Sequence, residues 1–201
     1  MISVLTGDII NSRQANSPQS WLPLLKNALA QSKTSQIYRG DSFQAEDSPE
    51  GALLKAIYIK ANIKTLKNID VRIAIGIGSK DYDGLSPSES NGQAFILSGE
   101  KFELLKKERL TLALHSPWPD LDYEMNIAIR LALIAMDNWG QAAAETVKLA
   151  IEHPAASQQE LAEISGRSQS SVSEALKRAS FSEIMELNNL YQKKLNLFIS
   201  A

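Results

Sequence analysis

Thr6-Gly7-Asp8-Ile9-Ile10-Asn11-Ser12-Arg13, entered from the apolar run Ile2 to Leu5, is the stretch whose reading decides the fold. A strand that ends in Gly-Asp and hands over to polar residues can hold a cation and an anion side by side. The Asp8 carboxylate is a hard oxygen ligand, and the amides of Ile10, Asn11 and Ser12 can face a phosphate. Gly-Asp is also ordinary turn chemistry, so a plain turn is the competing reading. A second Gly-Asp pair favours the site. In Gln36-Ile37-Tyr38-Arg39-Gly40-Asp41-Ser42-Phe43-Gln44, two short β-type runs flank Gly40-Asp41, the pattern of a tight hairpin. With the first strand beside that hairpin, Asp8 and Asp41 meet at one edge of a sheet. Two carboxylates with no His or Cys near them favour Mg²⁺ or Mn²⁺ over zinc, and such metals commonly serve phosphoryl groups. Arg39 and Arg72 each have two readings, a strand-surface salt bridge or a phosphate contact near Asp41.

The composition narrows the classes. The chain has 201 residues, 44% of them apolar and 22% charged, with a net charge of −2. That is room for one large domain or two small ones, and the whole molecule has no electrostatic footprint for nucleic acid or an anionic membrane. There is no cysteine, which excludes disulfides and thiolate chemistry and fits a reducing compartment. No signal-peptide pattern and no membrane-length apolar run is visible, so a cytoplasmic location with no membrane partner is expected.

Pro18 near a first turn, after Ser17, opens a helix carrying Trp21, Leu22, Leu25, Ala28 and Leu29. Ser48-Pro49-Glu50-Gly51 opens a second, with Leu53, Leu54, Ile57, Tyr58 and Ala61 at helical spacing. Val71 to Gly78 reads as a buried strand whose Gly76 and Gly78 admit another backbone or a ligand. Asp81 to Asn91 is a polar loop, Gln93 to Lys106 a third helix, and Leu110 to Leu114 a further strand. The order β-α-β-β-α-β-α-β describes an α+β fold, an antiparallel or mixed sheet with helices on one face in the ferredoxin-like arrangement. Pro117-Trp118-Pro119 is the boundary, giving a sheet domain over 1–119 and a helical domain over 120–201. Met125 to Trp139 carries more apolar residues than one helix face needs, and is either buried between the domains or part of a dimer contact.

Within the second domain, residues 157–179 read as two short helices meeting at Gly166, with Ala162 small enough for a close crossing. Leu161, Ile164, Val172 and Leu176 form their shared core, and Ser157 with Glu160 makes a capping box. This is a helix-turn-helix pattern, whose alternative is a purely structural helical module. Its second helix, capped by Ser168, presents Gln169, Ser170, Ser173 and Lys177 outward for base edges. Arg167, Lys177 and Arg178 can reach phosphates. From Gln141 to Ala201 six Lys/Arg stand against seven Asp/Glu. Such a module binds weakly alone, and a homodimer with two half-sites is the usual remedy. Ser182 to Ile199 is a last amphipathic helix. His115 and His153 read as loop residues, Ser12 and Ser42 have no base beside them for nucleophilic catalysis, and Asp81 and Asp83 read as solvated loop carboxylates.

The segments Thr6–Arg13, Arg39–Gln44, Val71–Gly78 and Gly92–Glu100 together resemble the palm domain of class III nucleotidyl cyclases. Over nearly the whole chain the closer resemblance is to the SatD family, in which a palm-like half precedes a helix-turn-helix half. The resemblance implies that Asp8 and Asp41 bind metal, with the Ile9 carbonyl touching it. It departs at Ile96 and Glu100, which stand where the cyclases carry a transition-state Asn and Arg. Loss of such an Arg alone costs about 10³-fold or more in rate. The expectation is therefore a ligand-responsive transcription regulator that binds a nucleotide or phosphate through Mg²⁺ or Mn²⁺, with a metal-dependent cyclase or phosphohydrolase as the alternative.

Overall fold

Nine-residue strands at both Gly-rich segments build the centre of the molecule. The structure, a computed structural model, describes residues 1–13 and 18–200. Its elements are β1 (Ile2–Ile10), α1 (Pro18–Leu29), β2 (Thr34–Tyr38), β3 (Ser42–Asp47), α2 (Ala52–Lys64), β4 (Asp70–Gly78), α3 (Gln93–Glu108) and β5 (Leu112–His115). Five helices follow: α4 (Pro119–Met136), α5 (Gln141–Glu152), α6 (Gln158–Ser165), α7 (Gln169–Arg178) and α8 (Phe181–Ile199). Ser17, read as part of the first helix start, lies outside the described residues; Pro18 does open α1.

The strands lie in the order β2-β3-β1-β4-β5. β1 runs antiparallel to β3 and β4, β3 antiparallel to β2, and β4 parallel to β5. This is a mixed sheet in an α+β fold. Strand alternation sorts the side chains to two faces. Leu5, Ile9, Val71, Ile73, Ile75 and Ile77 join the main core with residues of α1, α2, α4, α5 and α8. Val4, Thr6, Arg72, Ala74 and Gly76 alternate with them and therefore point to the opposite face. Helices cover both faces, contrary to the expectation of one, because α3 packs on β4, β1 and β5 from that second side.

Glycine makes the second layer possible. A Cβ on Gly76 would sit 2.2 Å from the Ala94 carbonyl oxygen and 2.4 Å from the Ser98 nitrogen, and one on Gly78 would sit 2.8 Å from the Ala94 nitrogen. The backbone of α3 thus rests directly on β4. Thr6 and Ser98 then share a buried hydrogen bond of 2.9 Å.

On the first face α2 is buried nearly all round, between the sheet and the C-terminal helices. It carries Lys60, 1% exposed. The ammonium donates to Asp70 at 2.8 Å and Thr111 at 3.2 Å, and pairs with Asp137 at 2.7 Å. One charge thereby joins α2, β4, the start of β5 and the end of α4. Two further links tie sheet to helices. Asn126 of α4 both donates to and accepts from the backbone of Leu114 at 2.9 Å, occupying the edge of β5. Tyr191 of α8 donates its buried hydroxyl to the Pro49 carbonyl at 2.5 Å.

Substituting Gly76→Ala is expected to destabilise the chain by about 3 kcal/mol or more, since the clash is with backbone that cannot rotate away. Denaturant unfolding followed by circular dichroism measures it; Gly140→Ala, where a Cβ meets nothing within 4 Å, serves as the tolerated control.

Candidate ligand site and candidate DNA-reading face

Asp8 lies near the end of β1, opposite Ser42 on one side and Arg72 on the other. The hairpin turn before Ser42 puts Arg39 and Gly40 in the left-handed region, at φ 51° and 91°, which a Gly at the second position tolerates. Asp41 closes that turn. Its carbonyl accepts from the Ile9 amide at 3.1 Å, and its carboxylate accepts from the Ser12 hydroxyl at 2.5 Å. The two Gly-Asp pairs therefore lie at the same end of the sheet, and the Asp41 charge is felt at Asp8.

Burial pushes the Asp8 carboxyl above its ordinary range, against the pull of Arg72 and Lys106; Asp41 and Glu103 add to the rise. Arg72 settles which of its two readings holds, because its guanidinium reaches Asp8 at 3.3 and 3.4 Å. Arg39 is exposed at the hairpin tip and makes no ion pair with a described residue. Of the three amides read as an anion cradle, Ile10 is still a strand residue opposite Asp70. Asn11, left-handed at φ 61°, and Ser12 lie beyond the strand. The sequence missed Lys106 and Glu103, which come from the last turns of α3; a basic end to that helix was the available signal. Ile96 and Glu100 are exposed on α3 and are not among the groups that perturb Asp8. Asp81 and Asp83 follow the far end of β4 and are engaged with Ser79 and Lys80 instead.

Asp8 and Asp41 offer hard oxygen donors of the kind a divalent cation takes, Asp8 already paired with Arg72 and Asp41 accepting from Ser12. Among the described residues no group of three or more His, Cys, Asp or Glu side chains gathers anywhere, so water or a ligand would have to supply the remaining coordination of any cation held there.

Residues 157–179 form two short helices, α6 and α7, that meet at Gly166, and α5 packs with them. Ser157 and Glu160 make the full capping box, Gly166 takes the left-handed position at φ 66°, and Ser168 caps α7 through the Ser171 amide. Ala150 of α5 joins Leu161, Ala162 and Val172 in a small core of their own, against which Leu176 packs. Ile164 does not join it; at 53% exposed it lies on the outside of α6. The three-helix core turns α6 by its Leu161–Ala162 edge, which leaves the next turn facing solvent.

On α7, Gln169, Ser170, Lys177 and Arg178 are exposed, while Ser173 is half-buried. Glu174, unnoticed in the sequence, sits in the middle of this face and pairs with Arg178 at 3.0 Å. Arg167 is not free to reach a phosphate: it donates to the Ala142 carbonyl and Thr146 hydroxyl and pairs with Glu145, all on α5. A trough of roughly 690 Å³ runs from Asn11, Lys67 and Asn68 to Gly140 and Gln141 at the start of α5. A second, roughly 830 Å³, continues from Gly140 and Gln141 to Ser171 and Arg178. The two troughs share Trp139, Gly140 and Gln141 in their linings.

Comparison with known proteins gives no match, whether to a family model, a curated protein or a solved structure. Among the described residues no helix is long and apolar enough to cross a membrane.

An acid whose folded pKa is raised adds stability only at low pH and loses it as pH rises through that pKa. Relative to the wild type, Asp8→Asn should therefore gain stability as pH rises from acid to neutral, with a neutral-pH melting temperature unchanged or higher. Thermal melts of both proteins across that range check this; a lower melting temperature for the variant at neutral pH would contradict it.

Proposed function

We propose that this chain is a DNA-binding transcription regulator, acting in the cytoplasm as a homodimer, that responds to a nucleotide or other phosphorylated ligand. The observation that carries the reading is α7: doubly supported by its cap and its three-helix core, it turns an uninterrupted polar face of Gln169, Ser170, Glu174, Lys177 and Arg178 to solvent. Gln and Ser can donate to and accept from base edges, Glu can accept from cytosine, and Lys177 reaches phosphates.

The sheet half is proposed as a ferredoxin-like, cyclase-like palm, in keeping with the SatD resemblance. Supporting this are the order β2-β3-β1-β4 and the antiparallel pairing of each neighbour in that order. Asp8, Asp41 and the Ile9 carbonyl would hold Mg²⁺ or Mn²⁺; the cation would bind the phosphates, with Asn11, Ser12 and Arg39 around them. The moving part is then α6 with α7, which has its own small core, rather than α4 and α8, which belong to the main one. A differential affinity of the ligand for two placements of α6–α7 is the switch.

The second reading, a metal-dependent cyclase or phosphohydrolase, rests on the same Asp8–Asp41 pair. It requires charge stabilisation that the exposed Ile96 and Glu100 do not offer.

Gel-shift titration against the chain's own upstream region should show salt-sensitive binding, with Lys177→Ala weakening all sequences alike and reducing the salt slope by about 1. Salt-independent or absent binding would end the regulator reading. Separately, calorimetric titration of nucleoside triphosphates should show Mg²⁺-dependent binding that Asp8→Asn/Asp41→Asn abolishes, without product formation. Metal-dependent turnover in the same samples would move the assignment to the enzyme.

A further inference from the structure

We infer that the outer face of α4, with the groove it shares with α8, is where two copies of this chain pair. α4 has two apolar stripes. Leu121, Met125, Ile129, Leu133 and Met136 form the inner one and are all buried. The outer one, Tyr123, Ile127, Leu131 and Ile134, keeps the same helical spacing on the opposite side. Tyr123, Leu131 and Ile134 are 72%, 65% and 69% exposed. A helix needs one apolar stripe to join a core, and apolar residues all round mark a helix covered on both sides.

The shape identifies the cover. Beside the Leu131 ridge, Ala128, Ala132 and Ala135 face Leu187 and Leu190 of α8 across a groove of roughly 610 Å³. Ridge and groove lie side by side on a single helix. A two-fold axis therefore seats each copy's ridge in the other's groove, whereas an unrelated helix would fill the groove and leave the ridge wet. Charge agrees with this. Arg130 flanks the ridge on the side away from α8, while Glu183 and Glu186 flank the groove on α8. All three are exposed and none makes an ion pair with a described residue. A two-fold running along the helices brings Arg130 of each copy over the acidic flank of the other. The interface stands on this pattern alone, so it holds or fails separately from DNA reading by α7.

Sedimentation equilibrium of the wild-type chain, up to hundreds of micromolar, is expected to give a dimer. Leu131→Glu/Ile134→Glu should weaken self-association roughly 100-fold or more with an unchanged circular dichroism spectrum. Arg130→Glu should weaken it, and adding Glu183→Arg/Glu186→Arg should restore it. A wild type that stays monomeric overturns the inference, as does a dimer that survives Leu131→Glu/Ile134→Glu. Should that variant lose its fold, cross-linking decides, because the chain has no cysteine of its own. Leu131→Cys, at the border of ridge and groove where the axis brings the two copies nearest, should form an oxidised covalent dimer that Glu108→Cys on α3 does not; equal cross-linking of both, or none, overturns the proposal.

Discussion

A single buried ammonium group sets the constraint on which the remainder of the structure depends. Lys60 sits on the helix that both the sheet and the C-terminal helices need as their floor, and it is satisfied only when Asp70, Thr111 and Asp137 arrive together. An unpaired charge at that depth would be costly, by several kcal/mol. The chain therefore has to bring the start of β4, the start of β5 and the end of α4 to one point. Lys64 adds to the same knot through Asp70 and the Asp137 carbonyl. With these ends fixed, the directions of β4 and α4 follow, and with them the position of everything the two elements carry.

Among the groups carried are those around Asp8, at one end of the sheet. Asp70 begins β4, and Arg72, two residues on, faces Asp8 across the strand pair. Asp70 and Arg72, two residues apart at one strand end, thus tie the knot and the Asp8 contact to the same stretch of backbone. Around Lys60 charge is matched and closed over, whereas Asp8 is held in an environment that raises its pKa despite a neighbouring guanidinium.

The sequence was legible where its chemistry is local. Gly40-Asp41 between β-type runs specified the hairpin, Ser157 with Glu160 specified the capping box, and Gly76 with Gly78 specified a close backbone approach. Each depends on residues within a few positions of one another. What was not legible is what arrives from a distance. Nothing in the strand pattern says that the backbone lying on Gly76 belongs to a helix on the second face, nor that Arg167 is taken up by Glu145 of α5. Ile164 had the right spacing for a two-helix core, and only the presence of α5 as a third member turns it outward. Lys60 gave no signal, because a lysine in an apolar helix reads as solvent-facing until its acidic partners are placed.

The sharing of one apolar core between the sheet and three of the later helices decides how the molecule comes apart. A chain built as a sensor and a reader on a flexible tether would melt in two steps, each half at its own temperature. Here Tyr191, itself in that core, bonds to the Pro49 carbonyl 142 positions earlier in the chain. Neither half retains a complete interior once the other is gone. Heating therefore meets one cooperative unit spanning most of the chain, and α7 is tied into it where Ala179 enters the main core and accepts from Trp139.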